Sequence, residues 1–446
     1  MQPAEQGAIV RRKVDGPSPA AARCDPRYIG ADVAHTMTIR QPGSRKGFRK
    51  FNSIIQSCRY YIGVTVEHLV STAEMETPIE DLGNSSNARN AFTIGRFGFY
   101  VAQVLTIIGV LNASVLIALP HDKYLRYQAL NDPKAPNSYW IYERIHFDPT
   151  PIDIAFIGTS RTGLSVHSRR LEEDLATRGI HAKAVNFYGV RNGINMQFVT
   201  AKELLSNRKV KLLVLEMTER EERKPHEFFY LYADPVDILN APLLINMNYL
   251  ADVARLPGRQ LDLALQTELQ KWGLRHPDFV PPPYEGPNLD HAEFVQTLDH
   301  NIVYHRVKSH TRGEMEALRN EWLRGVTGRV LPRLFGDLEY RLPRYYENKI
   351  LDLARAHGTE VLFLYLPRYG GTQDPAPYEQ YASRAQLINP WAEIQDYRLW
   401  IDEIHLNWEG AKRLTDYVAG VLADRSELKM TRPDAAIIDP RPQNQN

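Results

Sequence analysis

The chain has 446 residues, is 43% hydrophobic and 24% charged, and carries a formal net charge of +1. That near-neutrality removes any global field favouring nucleic acid or acidic partners, and the length allows one large domain with appendages or two domains. Its two cysteines, Cys24 and Cys58, lie near the N-terminus, which excludes a disulfide framework or a cysteine-based zinc module in the body.

Residues 1–96 mix charges, Pro and Gly around one weakly apolar patch and read as an N-terminal tail, largely disordered. Either this tail is genuine or translation starts later; a start at Met75 would bring the next segment close to the N-terminus. That segment, Phe97 to Leu119, reads FGFYVAQVLTIIGVLNASVLIAL, 23 residues without a charge. A bilayer core needs about 20 such residues as a helix, so 97–119 is expected to be a single transmembrane helix; a buried helix of a soluble protein is the alternative. Lys and Arg near the two ends do not decide orientation. The basic run RQPGSRKGFRK (Arg40–Lys50) and the cysteine-free body favour an N-terminus inside and a body outside. The expectation is a single-pass protein of the inner (cytoplasmic) membrane with a periplasmic C-terminal domain.

Residues 120–150 read as a polar, Pro-containing linker. The pattern then changes to short apolar runs alternating with helical spacing. IDIAFIG (152–158), HAKAVNFYG (181–189) and KVKLLVLEMT (209–218) are strand candidates, and the third, apolar almost throughout, is expected to be buried on both faces. GLSVHSRRLEEDLATRG (163–179) and INMQFVTAKELLSNR (194–208) have helical spacing. An insertion at about 220–342 interrupts the alternation, with helical stretches near 235–272 and 313–323. It resumes with the helix LPRYYENKILDLARAHG, the strand TEVLFLYLP (359–367) and a last helix, WEGAKRLTDYVAGVLAD. Strands alternating with helices imply an α/β fold on a parallel sheet. The domain is expected over 151–425, followed by a disordered C-terminal tail, 426–446.

In parallel α/β sheets ligands bind beyond the carboxyl ends of the strands, and three sets of residues fall there. Ser160, in FIGTSRTG, follows the first strand and opens a helix, whose N–H groups and dipole can stabilise an oxyanion. Helix capping explains a serine there equally well. Asn186 and Gly189 end the second strand. Asp402 and His405, in DEIHLN, precede the last helix, which is expected to start near Asn407. An Asp can accept from His Nδ1 and leave Nε2 to take a proton from a hydroxyl.

Taken together, Ser after the first strand, Gly after the second and D-x-x-H-L-N-x-x-G opening the last helix resemble the SGNH (GDSL-like) hydrolase superfamily, over roughly residues 152–424. Within it the chain is similar to membrane-anchored bacterial polysaccharide O-acetyltransferase and esterase types, the alginate-type O-acetylation proteins among them. The resemblance implies a three-layer α/β/α, flavodoxin-like parallel sheet with a long, mostly helical insertion. It makes Ser160 the nucleophile, His405 the base, Asp402 its orienting acid, and Gly189 and the Ser160 N–H the oxyanion donors. The third block departs from the family: LEMTERE holds Glu216, Thr218 and Glu219 where an Asn is usual. Arg161 or Asn186 would then have to supply the missing donor.

The implied partners are a polysaccharide or other acyl-ester substrate, the membrane, and a polysaccharide-export or acetyl-donor membrane protein. No P-loop or dinucleotide fingerprint occurs, so no cofactor is expected. His300, His305 and His310 recur every five residues, a spacing that shares no helix face, so no metal site is expected there. The aromatic runs FFYLY (228–232) and PPPYEGP (281–287) suit a carbohydrate cleft or packing of the insertion. A non-catalytic scaffold or binding module in polysaccharide synthesis or export is the rival to acyl-ester chemistry.

Overall fold

The computed structural model describes residues 85–128, 138–189, 193–244, 246–274, 294–296, 302–304, 310–325, 331–332 and 335–429. Contacts divide the chain into units 1–92 and 93–446. Of the first unit only residues 85–92 are described, as the start of a helix. Most of the expected tail, His300, His305, the 281–287 run and residues 430–446 lie outside the described residues.

Helix α1 (Ser85–Ile117) contains one stretch, Gly98–Ile117, long and apolar enough to cross a membrane. Its 20 residues rise about 30 Å. The helix begins before the apolar run and stops two residues short of Leu119. Thr106, Asn112 and Ser114 each return their side-chain donor to the carbonyl four residues back, so these three polar groups are bonded within the helix.

Within 120–150, expected as a linker, the described residues are folded. This segment contains α2 (Tyr124–Gln128) and α3 (Ser138–His146), and Tyr124, Tyr127, Trp140, Tyr142 and Ile145 are buried in the main core. Tyrosines and tryptophan supply the apolar area there while reading as polar text.

The body then runs through β1 (Ile154–Gly158), α4 (Ser160–Ser165), α5 (Ser168–Thr177), β2 (Ala184–Tyr188), α6 (Ile194–Asn207) and β3 (Leu212–Met217). The insertion carries α7 (Phe229–Tyr232), α8 (Pro235–Leu239), α9 (Tyr249–Lys271), an antiparallel pair β4 (Phe294–Gln296) and β5 (Ile302–Tyr304), α10 (Arg312–Gly325) and α11 (Gly336–Glu339). After it come α12 (Arg341–Ala356), β6 (Glu360–Tyr365), β7 (Gln386–Ile388), α13 (Trp408–Ala423) and α14 (Ser426–Lys429). The last of these replaces the start of the expected disordered tail, with Leu428 buried.

Five strands form one parallel sheet in the order β2-β1-β3-β6-β7. Alternate strand residues feed two hydrophobic clusters, as the two-residue period of a strand requires. Ala155, Ile157, Val185, Phe187, Leu213 and Phe363 join one cluster with residues of α6 and α12. Ile154, Phe156, Leu212, Val214 and Leu362 join the other with residues of α5 and α13. The chain leaves β1 for β2 on one side and returns to β3 on the other, so the carboxyl ends of β1 and β3 meet at a switch in strand order. The single helix expected over 163–179 is broken at Val166 and His167. The His167 ring caps α5 through Arg170 N–H, and its backbone N–H donates to Thr415 Oγ1 on α13.

Candidate active site

The loop before α13 is built so that each residue of LWIDEIHLN has a task. Leu399 carbonyl accepts the Asn407 N–H, Trp400 and Leu406 form a bridge and are both buried, and Ile401 N–H donates to the His405 carbonyl. The Trp400 indole donates to the Ile394 carbonyl, anchoring the loop below. Asn407 caps α13, its Oδ1 accepting from Gly410 N–H at 3.0 Å. A Cβ at Gly410 would run into the Leu399 carbonyl, so only glycine lets the helix start against the loop. The turn this creates is closed by Asp402, whose Oδ1 accepts from the N–H groups of Ile404 (3.0 Å) and His405 (2.8 Å).

The other carboxylate oxygen, Asp402 Oδ2, lies 2.8 Å from His405 Nδ1, and His405 Nε2 lies 2.8 Å from Ser160 Oγ. The structure thus brings Ser160, His405 and Asp402 into one hydrogen-bonded relay across 245 residues of sequence. With Nδ1–H donating to Asp402, Nε2 is left to accept the serine proton. Burial on its own raises the Asp402 pKa. The hydrogen bond and charge of His405, with the two backbone N–H groups, outweigh it and hold the carboxyl below its ordinary value. All three side chains keep partial solvent access.

Ser160 is positioned from below by a carboxylate on the neighbouring strand. Glu216, buried at the end of β3, accepts from Thr159 N–H (2.7 Å), Thr159 Oγ1 (2.8 Å), Thr162 N–H (3.2 Å) and Thr162 Oγ1 (2.6 Å). It therefore satisfies N-terminal donors of α4 and ties the turn carrying Ser160 to β3. A Cβ at Gly158 would occupy the space of Thr162 Oγ1 and of Glu216, which fixes glycine there. Thr415, fully buried on α13, accepts from His167 N–H and donates to the Ser165 carbonyl. The helix bearing Ser160 is thereby pinned to the helix that follows His405.

The expected oxyanion donors are placed differently. Gly189 N–H donates to the Gly158 carbonyl at 3.1 Å, extending the β1–β2 ladder, so it is not free. Asn186 is buried and its Nδ2 donates to the carbonyls of Thr162 and Val166, so its amide holds α4 in place. Arg161 sends Nη1 to the Leu366 carbonyl at 2.9 Å and toward Glu219 at 3.4 Å. What remains is the Ser160 N–H itself, the first residue of α4, for which a helix provides no acceptor.

A basic cluster that the sequence reading missed lies beside Arg161. Glu219 Oε1 accepts Arg368 N–H at 2.6 Å, and the Arg368 guanidinium stacks 4.0 Å over Trp322 of α10. Arg368 is buried, yet its Nε and Nη1 have no hydrogen-bond acceptor. Burial lowers its pKa; Glu219 opposes this, and the like charges of Arg220, Arg161 and Arg319 reinforce it. The only sequence signal was its place, three residues past a strand's carboxyl end. Glu219 and Arg220 also line a cavity of about 470 Å³ with Glu221, Tyr340, Arg344 and Gln380. His310, from the histidine run, donates its Nε2–H to the Ile401 carbonyl at 2.7 Å and buttresses the Asp402 loop. No family model matches the chain, and no curated protein shows significant similarity to it.

Proposed function

We propose that the chain is a membrane-anchored domain of SGNH (GDSL-like) type that performs serine-dependent acyl-ester chemistry on a surface or extracellular polysaccharide. The reading includes a three-layer, flavodoxin-like sheet, single-pass insertion in the inner membrane and a periplasmic body. The observation that carries it is the Ser160–His405–Asp402 relay at the carboxyl edge of a parallel sheet. The strand order and the two helix-packed clusters support the fold, and the cysteine-free body and basic N-terminal run support the orientation.

His405 Nε2 takes the proton of Ser160 as Oγ attacks the acyl carbonyl, and Asp402 stabilises the imidazolium that forms. The Ser160 N–H and the α4 dipole face the oxyanion. His405 then returns the proton to the leaving alkoxide, releasing the donor alcohol and leaving an acyl-Ser160. An incoming hydroxyl gives its proton to His405 and attacks the acyl group, and Ser160 recovers its proton. A sugar hydroxyl makes the reaction an O-acyl transfer and water makes it an ester hydrolysis. The cavity beyond Glu219 is within the size range of small-ligand sites.

The test is turnover of p-nitrophenyl acetate by the full chain in detergent, with Ser160→Ala alongside. Loss of turnover in the variant, together with an acetyl adduct on Ser160 in the parent, supports the reading; equal turnover ends it. One observation favours a second reading, a non-catalytic scaffold in polysaccharide synthesis or export: the N–H of Gly189 and the amide of Asn186 are spent on carbonyls. Polysaccharide binding without turnover in the parent chain would select that reading.

A further inference from the structure

Among the described residues, exposed large apolar side chains fall in two places. One set lies on α1, and outside it all but Phe335 lie in residues 236–274. This second set includes Leu243, Leu244 and Met247 in the α8–α9 connection, and Leu250, Leu261 and Leu265 on α9. Met247 is 83% exposed and Trp272, just past the end of α9, is 71% exposed. A soluble surface rarely carries so many large apolar groups together without a partner.

Helix α9 buries Asp252, Leu256, Gln260 and Leu263 on the face that packs on the body. Leu250, Leu261, Leu265 and Trp272 stand 11, 4 and 7 residues apart, a helical spacing that gathers them into a separate outward stripe. What joins this stripe to a membrane is the course of the chain leaving α1. Gln260 Nε2 donates to the carbonyls of Ile117 (3.2 Å) and Leu119 (3.5 Å), and Asp122 N–H donates to Thr267 Oγ1 at 2.9 Å. Residues 117–122 therefore run along the middle of α9. A 23-residue helix is about 34 Å long, so both its ends lie within about 20 Å of the end of the span.

We infer that the α8–α9 connection and the outward stripe of α9 lie in the headgroup–acyl boundary of the same bilayer that α1 crosses. This rests on the reading of α1 as a membrane span. A bilayer accepts an irregular apolar outline such as Met247 and the leucines present, where a protein partner needs matched shape. Trp272 has the amphipathic ring found at membrane interfaces. Two attachments, the span and the stripe, then hold the body in one orientation instead of leaving it to swing on a tether.

The experiment uses the full chain, with Cys24 and Cys58 changed to Ser, in phosphatidylethanolamine–phosphatidylglycerol vesicles with brominated acyl chains. Leu111→Cys (span), Leu261→Cys and Leu265→Cys (stripe) and Glu316→Cys (exposed on α10) are each labelled with an environment-sensitive fluorophore. Loss of most of the emission at Leu111, Leu261 and Leu265, with Glu316 unaffected, supports the inference. Quenching at Leu111 alone overturns it, and disulfide capture between two Leu261→Cys chains would then name a second copy as the occupant. Absence of quenching at Leu111 overturns the span reading and the inference with it.

Discussion

Two regions of the body hold carboxylates that are wholly or partly buried, and they satisfy them by different means. Around Ser160 and His405, Glu216 and Asp402 are held chiefly by neutral N–H and O–H donors, with His405 as the single ionisable partner, while Glu219 farther along the same edge meets Arg161 and Arg368. Near the end of α1, Glu203 and Asp234 are held chiefly by Lys and Arg side chains. Glu203 pairs with Lys123 and His146, and Asp234 with Arg126 and Lys202. The difference fits the role proposed for the first region. A relay has to gain and lose charge on an imidazole, and a fixed cation beside it would oppose the imidazolium. In the segment that follows α1, ion pairs between partly buried groups hold the chain in one register.

The largest effect expected from this contrast is at Asp402. Asp402→Asn keeps an acceptor near His405 but can present an amide to Nδ1, favouring the wrong tautomer. If the proposed chemistry holds, kcat should fall by about 10⁴-fold while the fold is kept, measured by ester turnover and circular dichroism. Next is Arg126→Met. Arg126 is buried and donates to the Tyr232 carbonyl and to Asp234, both at 2.8 Å. Its loss should cost about 3 kcal/mol by denaturant unfolding, because it removes two hydrogen bonds of a buried guanidinium and weakens the compensation of Asp234. Ester turnover per folded molecule should be unchanged, which separates the two regions.

Acid should break the same region reversibly. Burial raises the pKa of Glu203 and of Asp234, but His146 and Lys123 outweigh it at Glu203, and Lys123, Lys202 and Arg126 do so at Asp234. Both folded-state values lie below the ordinary carboxylate value. Their contribution to stability is therefore complete above the unfolded-state pKa, near 4, and is lost as pH falls through the lower folded-state values. Thermal midpoints recorded below about pH 4 should fall more steeply for the parent than for Asp234→Asn.

The contrast also explains which parts of the molecule were legible in the sequence. Asp402 and His405 could be read because both sit in one loop whose turn Asp402 itself closes. Ser160 could be read because a buried strand announces its own carboxyl end. The oxyanion donors could not, since whether Gly189 N–H is free depends on the ladder bond that β2 makes to β1, and no side chain records it. Strand β7 escaped notice because it is a three-residue edge strand, with Gln386 exposed and only Ile388 buried. Helices α2 and α3 escaped because their core contacts are made by tyrosines and tryptophan. Glu216 is the one acid in the otherwise apolar LLVLEM, and nothing in the strand pattern records that it reaches across to the turn carrying Ser160.

Glu216 gives the smallest and most discriminating effect. Glu216→Gln keeps volume and one acceptor oxygen, but its NH₂ faces donors from Thr159 and Thr162 that both need acceptors. Two unpaired donors at the start of α4 should cost about 1–3 kcal/mol in stability. If the turn shifts by even about 1 Å, Ser160 Oγ leaves the line to His405 Nε2 and kcat falls by up to about 10²-fold, with KM little changed. Glu216→Asp restores the charge but shortens the reach, so it should recover helix capping in part without restoring the rate. A Glu216→Gln chain as active as the parent would mean that the Ser160–His405 distance is set by Thr415 and α13 rather than by β3. The two supports enter α4 from different ends, Glu216 at Thr159 and Thr415 at Ser165, so the double variant with Thr415→Val distinguishes them: additive losses mean independent supports, and a loss no larger than that of one variant means a single coupled one.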